Sequence, residues 1–253
     1  MCFVFQALMT LAAFAQTAPP PRPAFGITDN SFLVEEAFNQ EAGVFQNIFV
    51  WTRTGSDWDL TFTQEWPIKT MAHQFSFTLD VQQAGGNRGS GDTLINYRYQ
   101  LWEEGPGRPA FSPRISVVLP TGNRDKGLGQ GATGLQINLP FSKRHGDLYW
   151  HWNAGLTWHP GLMSPQVAAS TVWQVRPLLD LMLEHVLAFE DAVTGPGTSA
   201  RTRQYTLAPG IRFGWNLGDR QLVFGTAAPV TFAQGGRQMA WLLYGSYELP
   251  FRR

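Results

Sequence analysis

From Gln238 to Phe251 the chain alternates: Met239, Trp241, Leu243, Tyr247, Leu249 and Phe251 share one face, and Gln238, Ala240, Leu242, Tyr244, Ser246 and Glu248 share the other. A period of two marks a strand, and two unlike faces mean two unlike surroundings. The same alternation recurs along nearly the whole chain, with no amphipathic helix to cover the apolar side, so lipid is the cover that fits. After residue 15 no stretch approaches the roughly 18 uninterrupted apolar residues of a spanning helix. A chain that crosses a membrane under that limit must close into a barrel, because unpaired backbone groups in hydrocarbon cost several kcal/mol each.

Composition agrees. Charged residues are 15% of the chain, below the roughly 25% usual for soluble domains, while aromatics reach 13%. Surface meant for water is scarce. A formal net charge of zero gives no electrostatic reason to expect a nucleic-acid partner.

The alternation predicts an all-β fold, an antiparallel up-and-down transmembrane barrel of about 12 strands, at 43–53, 57–66, 73–82, 92–102, 111–120, 132–140, 147–158, 165–176, 178–189, 203–216, 219–229 and 237–251. Faces follow from parity. Trp58, Leu60, Phe62 and Trp66 oppose Asp59, Thr61, Thr63 and Glu65, and Tyr205, Leu207, Ile211, Phe213 and Trp215 oppose Gln204, Thr206 and Arg212. A one-residue slip would carry those charges into lipid, at roughly 2–4 kcal/mol for an arginine near the midplane, so register is firmly set. The first strand is less clean, because Asn47 and Arg53 share a face with Phe45, Phe49 and Trp51. Long or Gly-rich connections (AGGNRGSG, TGNRDKGLGQG, EDAVTGPGTSA, VTFAQGG) fall on one end, and RHG, VRP and NLGD on the other, with the short TGS as an exception.

Residues 1–15 read as a signal peptide closed by Ala13-Phe14-Ala15, although no Lys or Arg precedes the apolar run; a buried N-terminal strand or helix is the other reading. With Cys2 in the leader, the mature chain would be cysteine-free. Residues 16–42 form a Pro-rich tether and a lead-in, with a short helical or irregular stretch over Ser31 to Gln40, and 43–253 form the barrel.

Two patterns carry a resemblance. Tyr247-x-Leu249-x-Phe251 resembles the C-terminal signal that marks outer-membrane barrels for assembly, departing only in the appended Arg252-Arg253. The run from Arg114 through Pro120-Thr121-Gly122-Asn123, the Gly-rich loop after it and Leu135-Gln-Ile-Asn-Leu-Pro resemble the outer-membrane transporter family named after the MetA pathway of phenol degradation. The resemblance implies a bacterial outer-membrane protein, exported through the periplasm, folded by the barrel-assembly machinery and moving small molecules, aromatic ones among them. The family name rests on pathway association and says little about substrate.

Motifs for other chemistry are thin. Gly129-x-Gly131-x-x-Gly134 runs into a strand rather than opening a helix, so it lacks the context of a dinucleotide site. Asn123 and Asp125 have incomplete spacing for calcium. No cofactor, metal or catalytic residue is therefore expected. No Ser lies within two positions of a His, although a distant pairing with His151 stays open. Inward parity gives the pore-lining candidates Arg98, Arg114, Arg212, Asp59, Glu65, Asp180, Glu184, Glu248, Asn96, Gln136, Asn138, His151 and Asn153. Such side chains either fill a lumen of this size with salt-bridged layers or line a narrow selective path. The expected function is a passive channel for small solutes; the alternatives are an outer-membrane lipid hydrolase or a secreted soluble barrel that binds a hydrophobic ligand.

Overall fold

The structure, a computed structural model, describes residues 26–27, 31–195, 198–218 and 220–251. The expected signal peptide, the tether up to residue 25 and Arg252-Arg253 lie outside the described residues. Twelve staves make the wall: β1 (Val44–Thr54), β2 (Asp57–Ile68), β3 (Thr70–Ala84), β4 (Thr93–Tyr99), β5 (Arg114–Leu119), β6 (Gly134–His145), β7 (Leu148–His159), β8 (Leu162–Arg176), β9 (Leu179–Gly195), β10 (Thr198–Leu217), β11 (Arg220–Ala227) and β12 (Trp241–Pro250). Each pairs antiparallel with its neighbours in sequence, and β1 pairs with β12 from Val44 opposite Pro250 to Arg53 opposite Trp241. The ring is closed, so it has no unpaired edge to expose to lipid.

Polarity is inverted relative to a soluble protein. Leu60, Leu79, Ile115, Ile137, Trp152, Leu183, Phe213, Phe224 and Leu243 are exposed on the outside, while Gln74, Asn96, Arg98, Asn138, His151, Asp180, Glu184, Arg212 and Ser246 are buried inside. A continuous apolar exterior of this kind is a membrane surface. Aromatics gather where the wall begins and ends: Phe45 stacks on Trp66 with centroids 4.6 Å apart, and Trp66 lies 5.5 Å from Phe251. The discordant Asn47 sits at that rim, where its Oδ1 accepts from Gln64 Nε2 at 2.8 Å and Gln64 Oε1 accepts from Trp66 Nε1 at 2.9 Å.

The long connections are largely β-structure rather than open loops. Asn87–Ser90 folds back on β3, and β9 and β10 continue as one long hairpin. Val230–Ala233 pairs with Gly236–Met239 and lies against β10, so Gln238 and Met239 belong to that hairpin and the last stave begins at Trp241. The uneven connection lengths have two further exceptions. His159 and Leu162 are joined by the tight turn at Pro160-Gly161 on the long-loop end, and Gln100 to Pro113 makes a long link on the end where β1 starts.

Inside, residues 31–40 do not hang below the barrel but run along its inner wall. Phe32 packs on Tyr244 with ring centroids 5.2 Å apart, and Ile27, Phe32, Ile48, Val172, Met182, Val223, Ala227, Leu242 and Tyr244 form one small apolar cluster within the lumen. Leu242 and Tyr244, apolar members of the otherwise polar face of β12, thus meet the segment rather than water. Glycine makes room for it: a Cβ on Gly225 would overlap the Phe32 ring.

Candidate functional site in the barrel lumen

The segment has no regular secondary structure, so its backbone polar groups need partners from elsewhere. The wall supplies them as side chains. The Glu184 carboxylate accepts the N–H groups of Phe32 at 3.2 Å, Leu33 at 2.9 Å and Val34 at 3.1 Å. Asn153 grips Glu35 from both sides, its Oδ1 accepting Glu35 N–H and its Nδ2 donating to Glu35 C=O, both at 2.8 Å. Ser142 Oγ accepts Ala37 N–H at 2.7 Å, and Gln74 Oε1 accepts Gln40 N–H at 2.7 Å. Gln100 accepts from Asn39 N–H at 3.2 Å and donates to Ala37 C=O at 2.8 Å. Ser31 and Ser170 share a hydroxyl hydrogen bond of 2.8 Å.

Glu35 is the electrostatic centre of this contact. Arg98 Nη2 reaches its Oε2 at 2.6 Å; Arg114 Nη2 reaches Oε1 at 2.5 Å, and Arg114 Nε donates to both oxygens at 3.0 Å. Burial alone would raise the Glu35 carboxyl, but Arg114 and Arg98 outweigh it and hold the group down at about 2. Arg114 is itself fixed by the wall, donating to Gln136 Oε1 at 2.8 Å, Asn96 Oδ1 at 3.1 Å and Ser116 Oγ.

The structure places each expected inward residue on the lumen side of its strand, yet they divide into groups with different work. Glu184 and Asn153 hold the segment's backbone; Arg98 and Arg114, with Asn96 and Gln136 behind them, hold its Glu35. Arg212 and Asp180 make a wall-to-wall ion pair, Nε to Oδ2 at 2.7 Å, with both side chains under 5% exposed. Glu65 and Glu248 are buried on the staves beside the β1 seam, Asn138 lies behind Asn153, and Asp59 faces Asp80 nearer the long-loop mouth. His151 Nδ1 lies 2.7 Å from Ser142 Oγ, a pairing across β6 and β7. Ser142 is fully buried and also accepts Ala37 N–H, so its oxygen is capped by the segment. The residues outside the pore-lining candidates are Ser31 to Gln40 themselves and Ser142, together with Gln74 and Gln100, which have the inward parity of their expected strands.

Not all the lumen is filled. The segment follows the wall from β11 round to β3, and on the β1–β5 side it leaves a cavity of about 190 Å³ lined by Ile48, Val50, Leu94, Tyr244, Arg98 and Arg114 among others. A second cavity of about 380 Å³ adjoins it toward the long-loop end, with Thr78 and Leu94 common to both. The Gly-rich loop after β5 bends into that mouth. Asp92 accepts N–H groups from Gly122 at 2.9 Å and Gln130 at 2.8 Å, and Gln82 Nε2 donates to Leu128 C=O at 3.0 Å. Asn123, weighed above as a calcium ligand, instead caps the short 3₁₀ turn Arg124–Lys126, its side chain accepting Lys126 N–H.

The profile of the family described as "Putative MetA-pathway of phenol degradation" matches residues 22–238. The chain belongs to this family. Among solved structures, this family member is similar to an outer membrane channel from Pseudomonas putida F1, with a TM-score of 0.64, 12% identity, and coverage of 88% of this chain and 98% of that one. At that identity the likeness is one of fold, and it is the fold expected from the alternation. Weaker similarities join it to an OmpT loop-deletion variant from Vibrio cholerae (TM-score 0.39, 7% identity, 81% of this chain and 98% of that one) and to a porin (TM-score 0.33, 9% identity, 81% and 99%). No curated protein matches the sequence.

Proposed function

We propose that this family member is a passive channel of the bacterial outer membrane for small, largely hydrophobic or aromatic molecules, throttled by its own N-terminal segment. The observation that carries the reading is the pair of adjoining cavities on the β1–β5 side, inside a barrel whose exterior is apolar. Ile48, Val50, Leu94 and Tyr244 give the inner cavity apolar surface, while Thr63, Ser76, Thr78 and Asn96 supply scattered polar contacts. That mixture suits a solute with an apolar body and few polar groups. Kinship of fold with an outer membrane channel supports the same reading.

The test is single-channel recording from the refolded mature chain in a planar bilayer, with circular dichroism on the same sample. Discrete, reproducible steps are expected. Silence from a sample that is demonstrably β-folded overturns the proposal.

A further inference from the structure

Arg98 and Arg114 stand out from the other lumen arginine. Arg212 meets its acid, Asp180, on the wall, and that pair is sealed. Arg98 and Arg114 both meet theirs off the wall, on the lumen segment that carries Glu35. The Arg114 fork does not depend on Glu35 for its position, because Gln136, Asn96 and Ser116, all on the wall, fix it. Such a preset planar fork is suited to a carboxylate.

Two more observations point to a ligand. Both arginines line the inner cavity, whose volume of about 190 Å³ exceeds the roughly 150 Å³ of an engineered apolar cavity that takes up benzene. Arg98, only 3% exposed, keeps its Nε–H without a hydrogen-bond partner among the described residues. Glu65 faces the same cavity. Two arginines against that one wall carboxylate still leave positive charge once Glu35 is withdrawn.

Resting on the channel reading, we infer that Arg98 and Arg114 form a binding site for a small organic carboxylate with an apolar, ring-sized body, and that Glu35 is the internal carboxylate occupying this site in the resting protein. The ligand's carboxylate takes the place of the Glu35 carboxylate on the Arg114 fork and Arg98, and its body lies against Ile48, Val50, Leu94 and Tyr244. Because Glu35 anchors the segment at its middle, occupancy by the ligand also loosens the segment. No bond forms or breaks; one ion pair replaces another.

The experiment is calorimetric titration of the refolded mature protein in detergent with benzoate, and with benzamide as the uncharged isostere. Wild type is expected to bind benzoate weakly. Glu35→Gln, which removes the internal competitor, should bind it at least tenfold more tightly, and benzamide should bind neither protein. Adding Arg114→Gln or Arg98→Gln to the Glu35→Gln protein should abolish the gain. Heat-modifiable migration reports folding for every variant, and if an arginine variant fails to fold, the Glu35→Gln comparison and the benzamide contrast still decide. Equal affinity in wild type and Glu35→Gln, equal binding of benzamide, or no benzoate binding at all overturns the inference. Binding without conductance would overturn the channel reading alone, and conductance without this binding pattern would overturn the site alone.

Discussion

Glu184, near the middle of β9, holds its carboxylate 2.9 Å from the backbone nitrogen of Leu33, 151 positions earlier in the chain. It serves Phe32 and Val34 in the same way, so one side chain satisfies three consecutive backbone donors of an irregular strand of chain. Glu184→Ala should leave those donors unpaired inside the barrel at about 1–3 kcal/mol each. Amide exchange at 32–34 is expected to accelerate roughly five- to hundredfold or more, with exchange in the β-wall far less affected. Unchanged protection at those amides would contradict the account of how the segment is held.

Glu35 makes segment docking sensitive to acid. Its carboxyl is held at about 2, below the ordinary 4.5, by Arg114 and Arg98, with Glu36 and Glu65 the other acids near Arg98. A depressed folded-state value means that the stabilisation is complete above the ordinary value and lost as pH falls from 4.5 through about 2. With 27% of the side chain exposed, the contribution is at most roughly 3 kcal/mol. Proteolytic accessibility of the segment should therefore rise as pH is lowered from 5 toward 3. The Glu35→Gln protein should lack that Glu35-dependent part of the rise.

Phe32 occupies space that only glycine at position 225 leaves open. Gly225→Leu should push the ring from its place on Tyr244 and detach the front of the segment, while the β11–β12 pairing continues. Limited proteolysis near residue 32 should become faster, with heat-modifiable migration of the barrel retained. A variant whose segment stays as protected as in wild type would show that Phe32 has another seat.

Leu183 is 41% exposed on the outer face of β9. Leu183→Arg should destabilise the barrel in bilayers by roughly 2–4 kcal/mol if that position lies near the midplane. Ser170→Ala, on the inner face of the adjacent stave, should cost only about 0.5–1.5 kcal/mol through the lost bond to Ser31. Urea unfolding in liposomes measures both, and the reverse order would contradict the assignment of faces.

Every expected strand corresponds to a stave, most plainly where the period-two signal is unbroken and least so in β1, where Asn47 and Arg53 share a face with Phe45, Phe49 and Trp51. Parity along β2, β9 and β10 is enough to place Asp59, Glu184 and Arg212 inside and Leu60, Leu183 and Phe213 outside. The segment was not legible in the same way. Ser31 to Gln40 has no periodicity, and its partners Gln74, Gln100, Ser142, Asn153 and Glu184 are scattered over much of the chain, so no local pattern joins them. Indirect traces do exist: Leu242 and Tyr244 are apolar on an inward face, and Glu184 is an inward acid between the apolar Met182 and Val186 of β9. The protruding hairpins were hidden for a different reason, since Gly-rich turn residues look alike whether or not the chain on either side continues to pair.

The threading of residues 31–40 also sets an order of events in biogenesis. Their partners, from β3 to β9, span seven of the twelve staves, and Glu184 is synthesised some 150 positions after the groups it receives. Contacts of such long range form late. A chain arrested before β9 would carry an N-terminal strip with exposed amides and nothing to satisfy them, and once β1 meets β12 the strip is enclosed by the hoop it precedes. A segment made before every stave of the wall is thus among the last to reach its native place, because its seats lie on strands made after it.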